Sequence, residues 1–144
     1  MDTGEQDSVI DRVPLALSMI VCDAVHTDPS TGKAYILGCF GSIGASNFPA
    51  MHPGMTVFAE VADCLGKTPF LIRVIDANED HEPIVEANAE IEIADPLAIT
   101  ALVLRLEGMV FPEAGEYRVQ LFSGNALIAE RRLLLSSNPE ETHT

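Results

Sequence analysis

Hydrophobic residues recur along much of this chain with a period of two. In the C-terminal part, Tyr117, Val119 and Leu121 alternate with Glu116, Arg118 and Gln120. That alternation describes an extended strand with one buried and one solvated face. Residues 83–93 repeat it more cleanly: Val85, Ala87, Ala89, Ile91 and Ile93 alternate with Glu86, Asn88, Glu90 and Glu92. Further strands are predicted over residues 15–26, 34–43, 55–64, 70–76, 99–110 and 127–135. The inward positions are Val57, Ala59 and Val61; Phe70, Ile72 and Val74; and Leu102, Leu104 and Leu106. The stretch 15–26 is apolar at odd and even positions, so it is expected to be central and covered on both faces.

Turn chemistry separates these runs. Residues 27–33 (TDPSTGK) form a dense turn cluster. Residues 45–54 are expected as a loop holding Phe48-Pro49 and His52-Pro53. Asp95-Pro96 breaks another run. Gly38, Gly41 and Gly44 mark bulges or close backbone approach. No run of ten residues carries a helical period. About eight strands with regular turns predict an all-β fold, an antiparallel two-sheet sandwich of immunoglobulin-like or related kind.

The segment 110–135 is the most informative. Pro112-Glu113-Ala114-Gly115 is a turn in which proline presets φ early and glycine accepts positive φ at the exit. Glu113-x-Gly115-x-Tyr117-x-Val119 resembles the corner before the penultimate strand of immunoglobulin-like sandwiches. The resemblance implies that the Tyr117 hydroxyl bonds back to the backbone across 113–115.

For the hairpin that follows, two registers compete. A two-residue Gly124-Asn125 loop sets Arg118 opposite Arg131. A three-residue Ser123-Gly124-Asn125 loop sets Arg118 opposite Glu130, Glu116 opposite Arg132, Val119 opposite Ala129 and Leu121 opposite Leu127, with Asn125 in the left-handed region. Charge complementarity favours the second. On the nominally outer faces, Val103, Met109, Phe111, Phe122 and Ile128 need cover.

The 144-residue length fits one domain over 14–136, with a flexible acidic segment at 1–13 and a polar tail at 137–144. The net charge of −14 argues against nucleic acid and anionic membrane as partners, because neither attracts an acidic surface. No C-x-x-C spacing joins Cys22, Cys39 and Cys64, and each lies in an apolar run. That pattern reads as small buried hydrophobes in a reducing, cytoplasmic compartment. The apolar run 15–25 is too short to span a membrane and follows an acidic flank unlike a signal peptide.

Candidate chemistry is sparse. Asp76-Ala77-Asn78-Glu79-Asp80 matches the start of a calcium loop. His81 then stands where that loop needs glycine, and Ala87 where it needs glutamate. A polar β-turn is the preferred reading, and Asp76, Asn78, Asp80 and Glu82 are the residues a calcium ion would take. Gly32-Lys33 lacks the remainder of a phosphate loop. Cys22 and His26 share one strand face and Asp23 the other, so they do not converge. His52 and His81 fall in predicted loops and read as surface histidines. Gly41-Ser42-Ile43-Gly44 has no base beside its serine.

Cys22-Asp23, Gly32-Lys33, Leu37-Gly38, Phe48-Pro49-Ala50, Asp95-Pro96-Leu97 and Phe111-Pro112-Glu113-x-Gly115-x-Tyr117 together resemble an uncharacterised bacterial family of small single-domain proteins. The resemblance spans roughly residues 15–135. It implies a compact, mostly β protein with no established activity and no assigned catalytic residues. The expectation from residues and resemblance together is a non-catalytic sandwich acting through protein–protein contacts, with a protein partner or as a homo-oligomer, and with no cofactor. The alternatives are a small-ligand or carbohydrate module using end loops, and an enzyme with a loop-assembled site. The absence of Trp and the presence of only two Tyr weaken the carbohydrate reading.

Overall fold

The computed structural model describes residues 13–79 and 81–137. These form nine strands and no helix. They are β1 (Leu15–Thr27), β2 (Ala34–Cys39), β3 (Ser42–Gly44), β4 (Ala50–Ala62), β5 (Gly66–Asp76), β6 (Val85–Ile93), β7 (Thr100–Phe111), β8 (Gly115–Ser123) and β9 (Ala126–Ser136). One sheet has the order β2-β1-β4-β7 and the other β3-β9-β8-β5-β6. Residues 1–12, 80 and 138–144, which hold most of the predicted acidic segment 1–13 and polar tail 137–144, lie outside the described residues.

The sandwich arises because each alternating strand has one apolar face to bury. Val21, Met55, Val57 and Val61 from one sheet meet Phe70, Ile72, Val74, Val119 and Leu121 from the other, all at or near zero exposure. Burying one such side chain contributes about 1.5–3 kcal/mol. The outer row Glu86, Asn88, Glu90 and Glu92 of β6 is exposed, as the alternation requires.

Four expectations are corrected. First, the predicted strand 34–43 is two strands. β2 lies in the four-stranded sheet, and β3 crosses to the other sheet and pairs with β9 in parallel. The sandwich is therefore not wholly antiparallel.

Second, the predicted loop 45–54 contains the start of β4. His52 and Pro53 lie in that strand, opposite the Gly108 region of β7. The ladder there has no pair at Pro53, which lacks an N–H, and Gly108 takes φ 68°. Burial parity switches at this point. Leu102 and Leu106 face the core before Gly108, and Met109 and Phe111 face it after. Met109 and Phe111, expected on an outer face, are fully buried core residues.

Third, β1 is central between β2 and β4, yet Leu15 and Leu17 are about half exposed, at 52% and 46%. Its outer face is not covered along its length.

Fourth, the favoured three-residue loop does not form, and the two-residue register holds only beside the turn. Ser123 pairs with Ala126 around a two-residue loop, and Gly124, not Asn125, takes positive φ. A bulge at Ile128 then shifts the ladder, setting Arg118 opposite Arg132 and Tyr117 opposite Leu133. Arg118 Nη1 still reaches Glu130 Oε1 at 3.1 Å, and Arg132 Nε reaches Glu116 Oε2 at 3.4 Å, both along diagonals. Ion pairs of this size serve two registers equally, so they do not choose between them. Burial of Leu133 and Leu135 and packing of Ile128 on the core go with the bulged register.

Candidate functional site

The end of the sandwich that carries the tyrosine corner holds a concavity. It is an open pocket of about 360 Å³, lined by Asp76, Asn78, Glu113, Glu116, Tyr117 and the backbone between them. Its shape follows from register: Asp76 at the end of β5 is the direct partner of Tyr117 in β8. The corner forms as its motif implies. The Tyr117 hydroxyl donates to Glu113 O at 2.7 Å and accepts from Glu113 N–H at 3.4 Å. Burial, chiefly, pushes the Tyr117 phenol above its ordinary range, with the Asp76 and Glu113 carboxylates acting in the same direction. It therefore stays a neutral donor. Phe111 packs edge-on against its ring at 5.0 Å.

On the opposite wall, the turn after β5 is ordered by Asp76. Its Oδ1 accepts from Asn78 N–H at 3.0 Å, and its Oδ2 accepts from His81 Nδ1–H at 2.9 Å. His81 Nε2 lies 3.8 Å from Glu113 Oε2. One ligand atom from each of Asp76, His81 and Glu113 falls within 4.8 Å of the others. The imidazole thus bridges two carboxylates and ties the β5–β6 turn to the corner. The three atoms are also spaced to hold a small cation.

Of the calcium-pattern residues, Asp76 and Asn78 line this pocket. Glu82 is exposed and does not line it, and Asp80 lies outside the described residues. His81 and Glu113 join Asp76 instead. The sequence motif at 113–117 marked the corner, but only the β5–β8 pairing brings it beside Asp76.

The other candidates disperse. Residues 28–33 close a tight turn, with Gly32 N–H donating to Asp28 O at 2.7 Å and Asp28 capping Ser30 at 2.9 Å. Cys22 Sγ is occupied by Ala24 O and Thr56 O at 3.5 and 3.6 Å. His26 packs tilted against Tyr35, with ring centres 6.2 Å apart. His52 is not a surface histidine. It packs edge-on against Phe40 at 6.0 Å, and its Nε2 is buried with no hydrogen-bond partner among the described residues. Burial holds its pKa below the ordinary 6.5. Cys22 and Cys64 are buried as expected, but Cys39 is exposed.

The two outer faces differ more than the ends do. On the five-stranded sheet, Glu116, Arg118, Gln120, Glu130 and Arg132 form a connected network, with Gln120 Nε2 donating to Glu130 Oε2 at 2.7 Å. On the four-stranded sheet, the registers set Leu15 beside Ala62 in one row, Ser18, Glu60 and Ala101 in the next, and Ile20, Phe58 and Val103 in the one after. Next come Cys22 beside Cys39, Ala24 beside Leu37, and His26 beside Tyr35. Tyr35 and Leu37 are each 51% exposed and Val103 50%. Charged groups there are Glu60, which accepts from Ser18 Oγ at 3.1 Å, and Arg105, whose Nε lies 3.4 Å from Glu107 Oε2. Arg105 lies across β4 over Gly54, where a Cβ would collide with it, and donates from Nη1 to Asp23 O at 2.9 Å.

Two sheets packed face to face and closed by a tyrosine corner define an immunoglobulin-like β-sandwich. The chain belongs to the family of unknown function DUF6941, whose model matches residues 17–136. Comparison with curated proteins gives no match. Among solved structures, it is similar to an immunoglobulin-like protein from Pseudomonas aeruginosa. That match has 16% identity, a TM-score of 0.44, and covers 85% of this chain and 95% of that one. It is also similar to part of a β-glucosidase from Listeria innocua, solved with glucose. There the values are 9% identity and a TM-score of 0.44, covering 84% of this chain and 16% of that one. No helix among the described residues is long and apolar enough to cross a membrane.

Proposed function

We propose that this protein is a non-catalytic binding module that docks a protein partner on the outer face of its four-stranded sheet. The observation that carries this reading is the set of half-exposed apolar side chains on that face, Leu15, Val103, Leu37 and Tyr35. An outer sheet face needs no such residues for folding, and exposed apolar side chains gathered on one face mark interaction sites. The charged groups that oppose non-specific association are concentrated on the other sheet. The partner surface that fits these side chains is apolar.

The test is affinity capture and light scattering of the wild type against a Leu37→Lys/Val103→Lys double variant. A partner, or a second copy of the chain, held by the wild type and released by the variant supports the reading. A partner held equally by both overturns it.

A second reading rests on the corner pocket: a divalent cation held by Asp76, His81 and Glu113. The imidazole favours a zinc-class ion over calcium, which prefers oxygen alone. Titration of zinc and calcium, read by thermal shift in the wild type and His81→Ala, distinguishes them. Zinc stabilisation lost in the variant supports the site, and an equal response of both proteins removes it.

A further inference from the structure

We propose that Cys22 and Cys39 form a cross-strand thiol pair that closes to a disulfide when the chain meets a low-molecular-weight disulfide such as oxidised glutathione. The two residues are direct partners across the antiparallel β1–β2 ladder. Phe40 N–H donates to Val21 O at 3.1 Å. That bond joins the residue after Cys39 to the residue before Cys22, so the cysteines occupy a non-hydrogen-bonded pair. At such a pair the Cα atoms approach to about 4.5 Å and the side chains leave the same face side by side. Disulfides span Cα separations of roughly 4.4–6.8 Å, so the backbone already meets the requirement. Neither thiol is bonded to another cysteine.

The pair is asymmetric in a useful way. Cys39 is exposed on β2, an edge strand of its sheet, whereas Cys22 has no exposed surface. Burial, and then the neighbouring Cys39, push the Cys22 thiol up. Cys39 is therefore the group that meets the oxidant, and Cys22 the group that resolves. The third cysteine, Cys64, is buried beyond the end of β4 and donates to Ala62 O at 3.6 Å.

The chemistry balances without further reagents. Cys39, as thiolate, attacks one sulfur of the small disulfide, and the other half leaves as a thiolate that takes up the proton Cys39 gave to solvent. Cys22 then loses its proton to solvent and attacks Cys39 Sγ, expelling the second half of the small molecule. The two cysteines lose two electrons and two protons, and the small disulfide becomes two thiols. Cys22 surrenders its bonds to Ala24 O and Thr56 O in the second step. Sequence spacing concealed this pair, because seventeen positions and a turn separate its members along the chain while the ladder sets them side by side.

The test treats the full folded chain with oxidised glutathione, traps free thiols by alkylation and reads intact mass and non-reduced peptides. The expected product is a monomer that has lost two hydrogens and two of its three alkylatable thiols. It carries a Cys22–Cys39 peptide link and reverts with dithiothreitol. Cys64→Ser is expected to behave as wild type. Cys22→Ser, checked for folding by circular dichroism, is expected to stop at a glutathione adduct on Cys39. Wild type that itself stops at that adduct, or that forms Cys39–Cys39 dimers instead, overturns the proposal.

Discussion

The two sheets of this sandwich bury similar inner faces and present opposite outer ones. The five-stranded sheet turns outward Glu116, Arg118, Gln120, Glu130 and Arg132, cross-linked in one network, with Arg73 laid over Phe122 at 4.9 Å from its ring centre. The four-stranded sheet turns outward Leu15, Leu37, Tyr35 and Val103, each about half exposed. The inner faces answer to the fold alone. The outer faces are free of that demand, which leaves one open to the proposed docking and the other to solvent. A solvated face gains from charge, and a face that meets another protein gains from apolar surface.

The difference can be broken most sharply where inner and outer exchange places. Phe111 falls on an outer face by simple alternation but is fully buried after the switch at Gly108. Phe111→Ala is expected to cost about 3–5 kcal/mol in chemical denaturation, the range for a large buried aromatic. A cost below about 0.5 kcal/mol, typical of an exposed position, would return the residue to the outer face.

A smaller effect separates the two outer faces. Leu37→Lys is expected to leave folding stability within about 0.5 kcal/mol. Glu130→Ala, on the charged face, removes acceptors from Arg118 and Gln120 and is expected to give a modest loss that shrinks as salt is raised. A Leu37→Lys variant that unfolds readily would show that this face is part of the core.

The smallest effect is a pH dependence from His52, on the edge of the inner face. Burial lowers its folded-state pKa, so below the ordinary 6.5 the unfolded chain binds the proton more readily. Its contribution is complete above that value and is lost as pH falls toward and past the lowered one. The wild type is expected to lose stability over that window, and His52→Gln to lose less. Parallel stability–pH curves for the two proteins would assign the dependence elsewhere.

Much of this fold was legible because a strand declares its faces locally. Val57, Ala59 and Val61, or Phe70, Ile72 and Val74, occupy the core that their alternation assigns. The corner was equally legible, since Pro112, Gly115 and Tyr117 act on one another within a few residues. The hairpin register was not. Its charges complement one another across more than one alignment, and the bulge at Ile128 answers to a core that Leu133 and Leu135 complete.

The sequence by itself determined most of the strands, the apolar face of those that run without a bulge, and the main turns, because each depends on neighbours in sequence. Only the tertiary structure decided the crossing between sheets after Cys39, the reversal of faces at Pro53 and Gly108, and the meeting of Asp76 and His81 with Glu113. It also decided that Cys22 stands beside Cys39 and that the apolar outer residues share one sheet. These depend on which strand lies next to which, at what register. That choice is made by the packing of the whole core, and no local period encodes it.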